Sequence, residues 1–244
     1  MNEAVVMTVE KLHKSFGENH ILKGIGLTLH QGENLGIVGK SGIGKSVLIK
    51  CIVRLIEPDS GEVDVLGTNV LECNSNELNE IRKKVGYLFQ GGALYDSMSV
   101  RENLFFPIRR TQFKDKKLDT EELIEQSLRS VGLLDAIDKM PSELSGGMKK
   151  RVALARTLIL KPEIILYDEP TTGLDAVTSG EISELILKIR EEYNTASIII
   201  THDMKCARIA TDNIKIMDDG IFRIEGTYDE LSNTEKKEIR DFFI

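Results

Sequence analysis

The sequence of 244 residues lacks a long apolar run and a recognisable export signal. No run approaches the roughly 18 to 20 residues that a helix needs to cross a bilayer, so we expect that the chain does not span a membrane by itself. The start, MNEAVVMTVEK, carries an acid at Glu3 and only a short apolar patch. A secretory signal needs a basic start and a longer apolar stretch, and we therefore expect a cytoplasmic chain.

Paired cysteines and an excess of positive charge are also missing. Cys51, Cys73 and Cys206 are odd in number, lie far apart and form no CxxC pair, which argues against a disulfide framework or a zinc site. The 32 Lys and Arg residues against 39 Asp and Glu residues give a net charge of -7. Because electrostatic binding of nucleic acid needs clustered positive charge, we expect no nucleic-acid partner.

The composition, 41% hydrophobic and 29% charged, is that of an ordinary globular protein, and no low-complexity linker or internal repeat divides the chain. We therefore expect a single domain over residues 1–244. Residues 1–90 and 161–226 show strand patterns, first alternating as in antiparallel strands and then buried as in a parallel sheet. Residues 91–160 show helical spacing, and residues 227–244 are polar and compatible with a helical tail.

Individual elements follow from the same patterns. We predict strands at residues 34–38, 62–66, 85–89, 164–167 and 197–200, helices at 45–56 and 179–190, and a hairpin of 214–217 and 221–224. Pro58 is the stop signal for the first of these helices.

The sequence GKSGIGKS at residues 39–46 fits the phosphate-loop pattern G-x-x-x-x-G-K-[ST] and lies between a predicted strand and a predicted helix. Its glycines let backbone N–H groups close around phosphate oxygens at the start of the helix. Lys45 would reach the β and γ phosphates, and Ser46 would offer its hydroxyl to Mg²⁺. The alternative is a glycine-rich turn before an ordinary helix.

Two acids stand directly after the strand predicted at residues 164–167, and a histidine follows the strand at 197–200. Asp168 can hold Mg²⁺, directly or through water, and Glu169 can accept a proton from water that attacks the γ phosphate. His202 leaves the same edge of the sheet, where ligands bind, and is a candidate for contacting that phosphate. As alternatives, the acids are solvated loop residues and the histidine is structural.

A third motif, LSGGMKKR at residues 144–151, has no obvious role inside the same site. In order and spacing, the three motifs resemble those of the ATP-binding subunit of ABC transporters over nearly the whole chain. The resemblance implies an α/β fold, the P-loop NTPase fold of ABC ATPases: a RecA-like parallel-sheet core, an N-terminal antiparallel β subdomain and an inserted α-helical subdomain. It also implies that Ser145, Gly146 and Gly147 close on the γ phosphate bound to a second copy, while Ser145 can cap its own helix.

The resemblance assigns further residues one at a time. Phe16 resembles the aromatic that stacks on adenine, although tyrosine is more frequent there, and Gln90 in LFQGG resembles the glutamine that senses Mg²⁺ and the attacking water. Gly173, Leu174 and Asp175 resemble the loop that crosses the dimer interface. A core role for Phe16 and a solvated role for Gln90 are the alternatives.

The expected site therefore comprises three sets of residues. The catalytic residues are Glu169, His202, Gln90 and Lys45. ATP would be bound by Phe16, Gly39, Lys40, Ser41, Gly42, Ile43, Gly44, Lys45, Ser46, Val47, Ser145, Gly146 and Gly147. Mg²⁺ would be held by Ser46, Gln90 and Asp168.

Met148 stands where glutamine commonly follows the two glycines of the third motif. Together with residues 89–107 and 170–179, it makes the chain similar to the ATPases of Mla-type (maintenance of lipid asymmetry) phospholipid transport systems, although Ala176 replaces a usual proline. This resemblance implies a homodimer at the cytoplasmic face of the inner membrane, bound to a permease whose coupling helix meets residues 93–106 and to a lipid-binding MCE-type subunit. The alternatives are a transporter ATPase for another solute and a non-transport ABC ATPase acting on ribosomes or DNA.

Overall fold

The computed structural model describes residues 4–110, 120–240 and 242–243. The strands are β1 (Val5–Phe16), β2 (Asn19–His30), β3 (Asn34–Val38), β4 (Ser60–Val65), β5 (Thr68–Asn69), β6 (Val85–Leu88), β7 (Ile164–Asp168), β8 (Ala196–Thr201), β9 (Asn213–Asp218) and β10 (Ile221–Gly226). The helices are α1 (Lys45–Ile52), α2 (Ser75–Lys84), α3 (Val100–Arg110), α4 (Thr120–Ser130), α5 (Gly146–Leu158), α6 (Ala176–Tyr193), α7 (Met204–Ala210), α8 (Tyr228–Ser232) and α9 (Lys237–Arg240).

Over the described residues, the larger sheet has six strands in the order β10-β9-β3-β8-β7-β6. Strands β9, β3, β8, β7 and β6 pair in parallel, and β10 closes the edge antiparallel to β9. Strands β3, β7 and β8 are buried along their whole length, as expected for parallel strands covered on both faces. Since Val38 pairs with Thr201 and Asp168 with Ile200, these three strands end at one edge of the sheet.

The smaller sheet is antiparallel, with the order β2-β1-β4-β5. Its inward residues, including Leu12 and Leu29, share one apolar core with Leu48 of α1 and Ile198 of β8. The antiparallel N-terminal region and the parallel core predicted from the sequence are therefore both present, and the predicted fold class is confirmed.

The segment between β6 and β7 carries α3, α4 and α5, which enclose a second apolar core. Leu104, Leu128 and Leu154 lie in this core together with Tyr167 of β7 and Ile186 of α6. The helical pattern predicted from residue 91 begins later than expected, at Val100. Gly92 and Ala93 have positive φ values of 72° and 50°, so the chain turns there before it can enter a helix.

Several predicted boundaries are wrong. Helix α1 ends at Ile52 instead of residue 56, because Arg54 has a φ of 52° and Arg82 donates hydrogen bonds to the carbonyl groups of Val53 and Arg54. Strand β4 spans Ser60–Val65, since Leu66 turns with a φ of 53°. Strand β6 ends one residue early, at Leu88.

Helix boundaries set by side-chain caps also differ from the prediction. Helix α6 begins at Ala176, three residues before the predicted start, because the Asp175 carboxylate accepts hydrogen bonds from the first-turn N–H groups of Val177 and Thr178. Helix α2 was not predicted, although Asn74 and Glu77 form a capping box that signals its start.

The described residues near the end of the chain pack on the chain itself. Phe242 and Phe243 lie against an apolar cluster that includes Ile216 and Leu231, and the rings of Phe243 and Tyr228 meet edge to face at 5.2 Å. Asp241 and Ile244, which belong to the same predicted tail, lie outside the described residues. Within the described ranges, no helix combines the length and apolarity that crossing a membrane requires.

Candidate nucleotide-binding site

The loop of residues 39–46 connects β3 to α1 at the polar edge of the larger sheet. Two of its glycines are required by close approach: a Cβ at Gly39 would lie 2.5 Å from the carbonyl oxygen of Met217, and one at Gly44 would lie 2.5 Å from Ile21 Cγ2. Gly44 also has a φ of 111°, a conformation that other residues rarely adopt. The loop thus brings its backbone N–H groups to the start of α1.

Lys45 is the buried cation of this loop. Its Nζ donates hydrogen bonds to the carbonyl oxygens of Gly39 at 2.6 Å and Lys40 at 3.1 Å, and it lies 3.7 Å from Glu169 Oε1. Burial lowers the pKa of Lys45, while the charges of Glu169 and Asp168 oppose that shift. The ammonium group therefore lies between the loop and the acids at the end of β7.

Asp168, the last residue of β7, is 4% exposed, and its carboxylate is held at both oxygens. The Ser46 hydroxyl donates to Oδ1 at 2.7 Å, and the Tyr87 hydroxyl of β6 donates to Oδ2 at 3.1 Å. Tyr87 was not identified from the sequence, since nothing in a four-residue strand indicates which residue its hydroxyl contacts. Burial is the main cause that raises the pKa of Tyr87, so the phenol keeps its proton and donates.

Glu169 and His202 lie side by side at the ends of β7 and β8. His202 Nδ1 lies 2.7 Å from Glu169 Oε2, and the Thr172 hydroxyl donates to the same oxygen at 3.2 Å. Glu169 has a φ of 51°, in the left-handed region, while its N–H donates to the Ile200 carbonyl at 2.9 Å. The carboxylate is thereby fixed beside Lys45, and the His202 side chain is 53% exposed.

A cavity of about 390 Å³ opens beside the loop. Its lining consists of Phe16, Ile21, Ser41, Gly42, Gly44, Lys45, Ser46, Val47, Gln90 and Glu169. Phe16 is 52% exposed, so the alternative core role for this residue is wrong. Ile43 packs on the core instead, and Lys40 faces a second cavity that His202 also lines.

Lys150 is a further residue that the sequence did not single out. It lies in the third motif, on α5, and is 6% exposed. Its Nζ donates to the carbonyl oxygen of Gln90 and, at 3.3 Å, to that of Glu169. Burial lowers the pKa of Lys150, and the charges of Asp168 and Glu169 oppose that shift. One ammonium group thus links α5, the helix that begins in the third motif, to both of these residues.

The residues of the third motif begin α5 and do not line the cavity around the loop. Ser145 is the N-cap, and its Oγ accepts a hydrogen bond from the N–H of Met148 at 3.2 Å. Gly147 is buried against α6, where an added Cβ would lie 2.5 Å from Thr178 Cγ2. Leu174, in the loop of residues 173–175, packs on the same surface.

This fold and this loop define a P-loop nucleotide-binding protein. The sequence model described as "ABC transporter" matches residues 22–172, more than half of the chain. The chain therefore belongs to the ABC transporter family and is a member of its ABC ATPases.

Curated relatives cover nearly the whole chain. It is 38% identical over 238 residues to the "Probable ribonucleotide transport ATP-binding protein mkl" of Mycobacterium tuberculosis, covering 98% of this chain and 66% of that protein. It is 36% identical to the L-cystine import ATP-binding protein TcyN of Bacillus subtilis, and the match covers 97% of this chain and 92% of that protein. It is also 36% identical to the protein trigalactosyldiacylglycerol 3, chloroplastic, of Arabidopsis thaliana, and the match covers 98% of this chain and 73% of that protein. The chain thus spans slightly less than two thirds of the mycobacterial relative's length.

Solved structures show the same fold. CbiO1 from Clostridium perfringens, part of the ABC transporter complex CbiONQ, matches with a TM-score of 0.85 and 29% identity, covering 98% of this chain and 94% of that one. The ATP-binding cassette MJ0796, solved as a dimer in a post-hydrolysis state with ADP and Pi, matches with a TM-score of 0.81 and 31% identity, covering 91% and 98%.

Proposed function

We propose that this chain is the ATP-hydrolysing, nucleotide-binding subunit of a membrane transporter. The observation that carries the proposal is the convergence of Lys45, Ser46, Asp168, Glu169 and His202 at one edge of the sheet. Three of these residues, Lys45, Ser46 and Glu169, line the cavity beside the loop. In this proposal the loop N–H groups and Lys45 bind the β and γ phosphates. The half-exposed ring of Phe16 lines the same cavity, and adenine would stack on it.

The oxygen atoms near the phosphates suit a magnesium ion. Mg²⁺ prefers oxygen ligands and is usually bound in proteins by one or two side chains together with substrate phosphates. Ser46 Oγ and Asp168 Oδ1 lie 2.7 Å apart, and Gln90 lines the same cavity. We propose these three residues as the metal-binding set. When bound there, Mg²⁺ would neutralise charge on the β and γ phosphates.

Glu169 is the proposed general base. Its carboxylate would accept a proton from the water that attacks the γ phosphate. Thr172 and His202 hold Oε2, which leaves Oε1 on the side of Lys45. Lys45 would stabilise the negative charge of the transferred phosphate, and His202 would contact the γ phosphate through Nε2, at the ring edge away from Glu169.

The test is Glu169→Gln, which keeps the shape of the side chain and removes the base. We expect ATP binding within about twofold of wild type, loss of turnover by roughly 10²-fold or more, and accumulation of an ATP-bound dimer in size-exclusion chromatography. Glu163→Gln is the matched control, because Glu163 is exposed and directly precedes β7, the strand that leads to Glu169. Among the described residues its side chain forms an ion pair with Lys84 alone, at 3.1 Å. Normal steady-state hydrolysis by Glu169→Gln would refute the assignment of the base.

The proposal includes a second copy of the chain. Ser145 and Gly146 are exposed, start a helix, and lie away from the cavity of their own chain, so they are suited to bind a γ phosphate held by a partner. The dimer of the related cassette MJ0796 supports this arrangement. ATP binding would close the pair and hydrolysis would reopen it.

The proposed membrane partner is a permease at the cytoplasmic face of the inner membrane. Leu104 is buried, but Tyr95 and Phe105 are each 42% exposed, so the region of residues 93–106 offers aromatic surface to a coupling helix. The naming of the CbiO1 structure as part of a transporter complex supports such a partner.

For the cargo we propose phospholipid, with an MCE-type subunit in the assembly. Support comes from Met148 in the third motif and from the Arabidopsis relative, which bears the name of the lipid trigalactosyldiacylglycerol. The relatives named for ribonucleotide and L-cystine transport favour the second candidate, a transporter of another solute.

Purification of the tagged chain from detergent-solubilised membranes separates these candidates. We expect a permease, a lipid-binding subunit and co-purifying phospholipid, identified by mass spectrometry. A permease with a solute-binding protein and no lipid-binding component would support the second candidate. Ribosomes or DNA without a permease would support a non-transport ATPase.

A further inference from the structure

An aromatic groove lies on the surface between the larger sheet and the helical segment. Its volume is about 290 Å³, and its walls include Tyr87, Phe89, Tyr95, Phe106 and Arg156. The rings of Tyr95 and Phe106 lie 4.7 Å apart, and the Arg156 guanidinium stands 5.9 Å over the Tyr95 ring. This groove adjoins the surface on which the proposed permease helix would dock.

Tyr87 belongs to the groove and to the nucleotide site at once. Its ring lines the groove and lies against the Phe89 ring, with 4.2 Å between centroids. Its hydroxyl, at the other end of the same side chain, donates to Asp168 Oδ2 at 3.1 Å. A single rigid side chain therefore spans the distance between the groove wall and the proposed metal-binding carboxylate.

The two oxygens of Asp168 have different partners. Oδ1 meets the hydroxyl of Ser46, where the proposed metal would bind, whereas Oδ2 meets Tyr87. Because both oxygens belong to one planar carboxylate, rotation about the χ2 angle of Asp168 moves them together. The Tyr87 hydroxyl, which holds the oxygen opposite Ser46, therefore constrains the angle at which the carboxylate meets Ser46.

We infer that Tyr87 is a positioning residue that orients Asp168 for the metal and makes that orientation depend on how the groove is filled. The inference rests on the proposed function, which supplies the metal role of Asp168 and the occupant of the groove. A helix pressed against Phe89 and Tyr87 would shift the hydroxyl, and Asp168 would follow it. Hydrogen bonds to ligating carboxylates commonly alter metal affinity by 10-fold to 100-fold when they are removed.

The experiment measures metal binding rather than turnover. Purified chain is saturated with a non-hydrolysable ATP analogue and titrated with Mn²⁺, while free Mn²⁺ is followed by electron paramagnetic resonance. Tyr87→Phe keeps the ring and removes only the hydroxyl, and we expect it to bind Mn²⁺ about tenfold more weakly. Its affinity for the analogue without metal should equal that of wild type, because the loop contacts are unchanged.

Two further variants make the reasoning specific. Tyr95→Phe removes a hydroxyl from the same groove, and we expect wild-type Mn²⁺ affinity. Phe89→Ala keeps the Tyr87 hydroxyl but removes the ring that supports it, and we expect weaker Mn²⁺ binding, about threefold. Wild-type affinity in Tyr87→Phe overturns the positioning role, and wild-type affinity in Phe89→Ala overturns the link to the groove.

Failure of the proposed function would look different. If wild-type chain does not bind the analogue, or binds Mn²⁺ no better with it than without it, then the nucleotide site itself is wrongly assigned. If wild type binds both and Tyr87→Phe matches it, only the inference about Tyr87 is wrong. Circular dichroism and thermal melting of each variant establish that the chain is folded.

Discussion

Replacement of Gly147 tests how closely α5 must approach the neighbouring helix α6. A Cβ at this position would lie 2.5 Å from Thr178 Cγ2 on α6, too close for two carbon atoms in non-bonded contact. Gly147→Ala should therefore push the first turn of α5 away from α6. Thr178→Ser removes the methyl group but keeps the hydroxyl, which donates to Asp175 Oδ2 at 2.6 Å. The second change should relieve the first.

The expected magnitudes follow from the same contact. Insertion of a methyl group into a packed contact costs typically about 1–3 kcal/mol. Alanine gains at most about 1 kcal/mol over glycine in helix propensity, and less near the helix start. We expect Gly147→Ala to lower the free energy of unfolding by about 1–2 kcal/mol. For a domain of this size, that is a fall in Tm of roughly 2–8 °C.

The assay is a double-mutant cycle on thermal and urea unfolding, with ATP-dependent dimerisation measured in parallel. We expect the double variant to be more stable than the sum of the single changes by about 1–2 kcal/mol. Gly147→Ala alone should also impair dimerisation, and Thr178→Ser should restore part of it. Additive effects on stability would refute the reasoning, because they would mean that the two side chains do not compete for space.

Further predictions concern Lys150 and Cys206. Lys150→Met should misplace Gln90 and Glu169 and so lower kcat by about tenfold or more, with nucleotide affinity nearly unchanged. Lys150→Arg should restore most of the lost kcat. Equal kcat in wild type and both variants would contradict the positioning role. Burial raises the pKa of the Cys206 thiol to about 11, whereas a cysteine thiol in an unfolded chain has a pKa of about 8.5. Between these pH values the folded state therefore binds more protons than the unfolded state. The free energy of unfolding should therefore fall as pH rises from about 8.5 to about 11, and Cys206→Ala should reduce that slope in urea titrations. In Cys206→Ala the dependence of the free energy of unfolding on pH should not vanish, because burial also raises the pKa of Cys51 to about 11. A pH dependence equal to that of wild type would contradict the account.

The parts of the site that could be predicted from the sequence depend on local pattern and on one rule of sheet geometry. The loop of residues 39–46 has a fixed spacing, so its place between β3 and α1 followed directly. Asp168 and His202 were expected near each other because parallel strands end at a common edge. The register of β7 and β8 places them there.

Contacts between distant segments were not predictable in the same way. Lys150 meets the carbonyl of Gln90, 60 residues earlier, and in the sequence it is one of three consecutive basic residues with nothing to mark it as buried. Tyr87 reaches Asp168 across two strands that the sequence does not show to be neighbours. The early end of α1 likewise depends on Arg82, a residue of another helix. The roles of the individual site residues stay predictions until the variants above are measured.

Glu169 has a further consequence for how such a chain can change over time. Its φ of 51° is one that glycine adopts freely and that a glutamate holds only against steric resistance. A change to glycine would relieve the backbone but would also remove the carboxylate that lies 3.7 Å from the buried Lys45 ammonium. Replacement of Glu169 alone therefore exchanges backbone strain for a buried charge that has lost a partner. A library of variants selected for thermal stability alone should accept glycine here mainly when Lys45 is replaced as well.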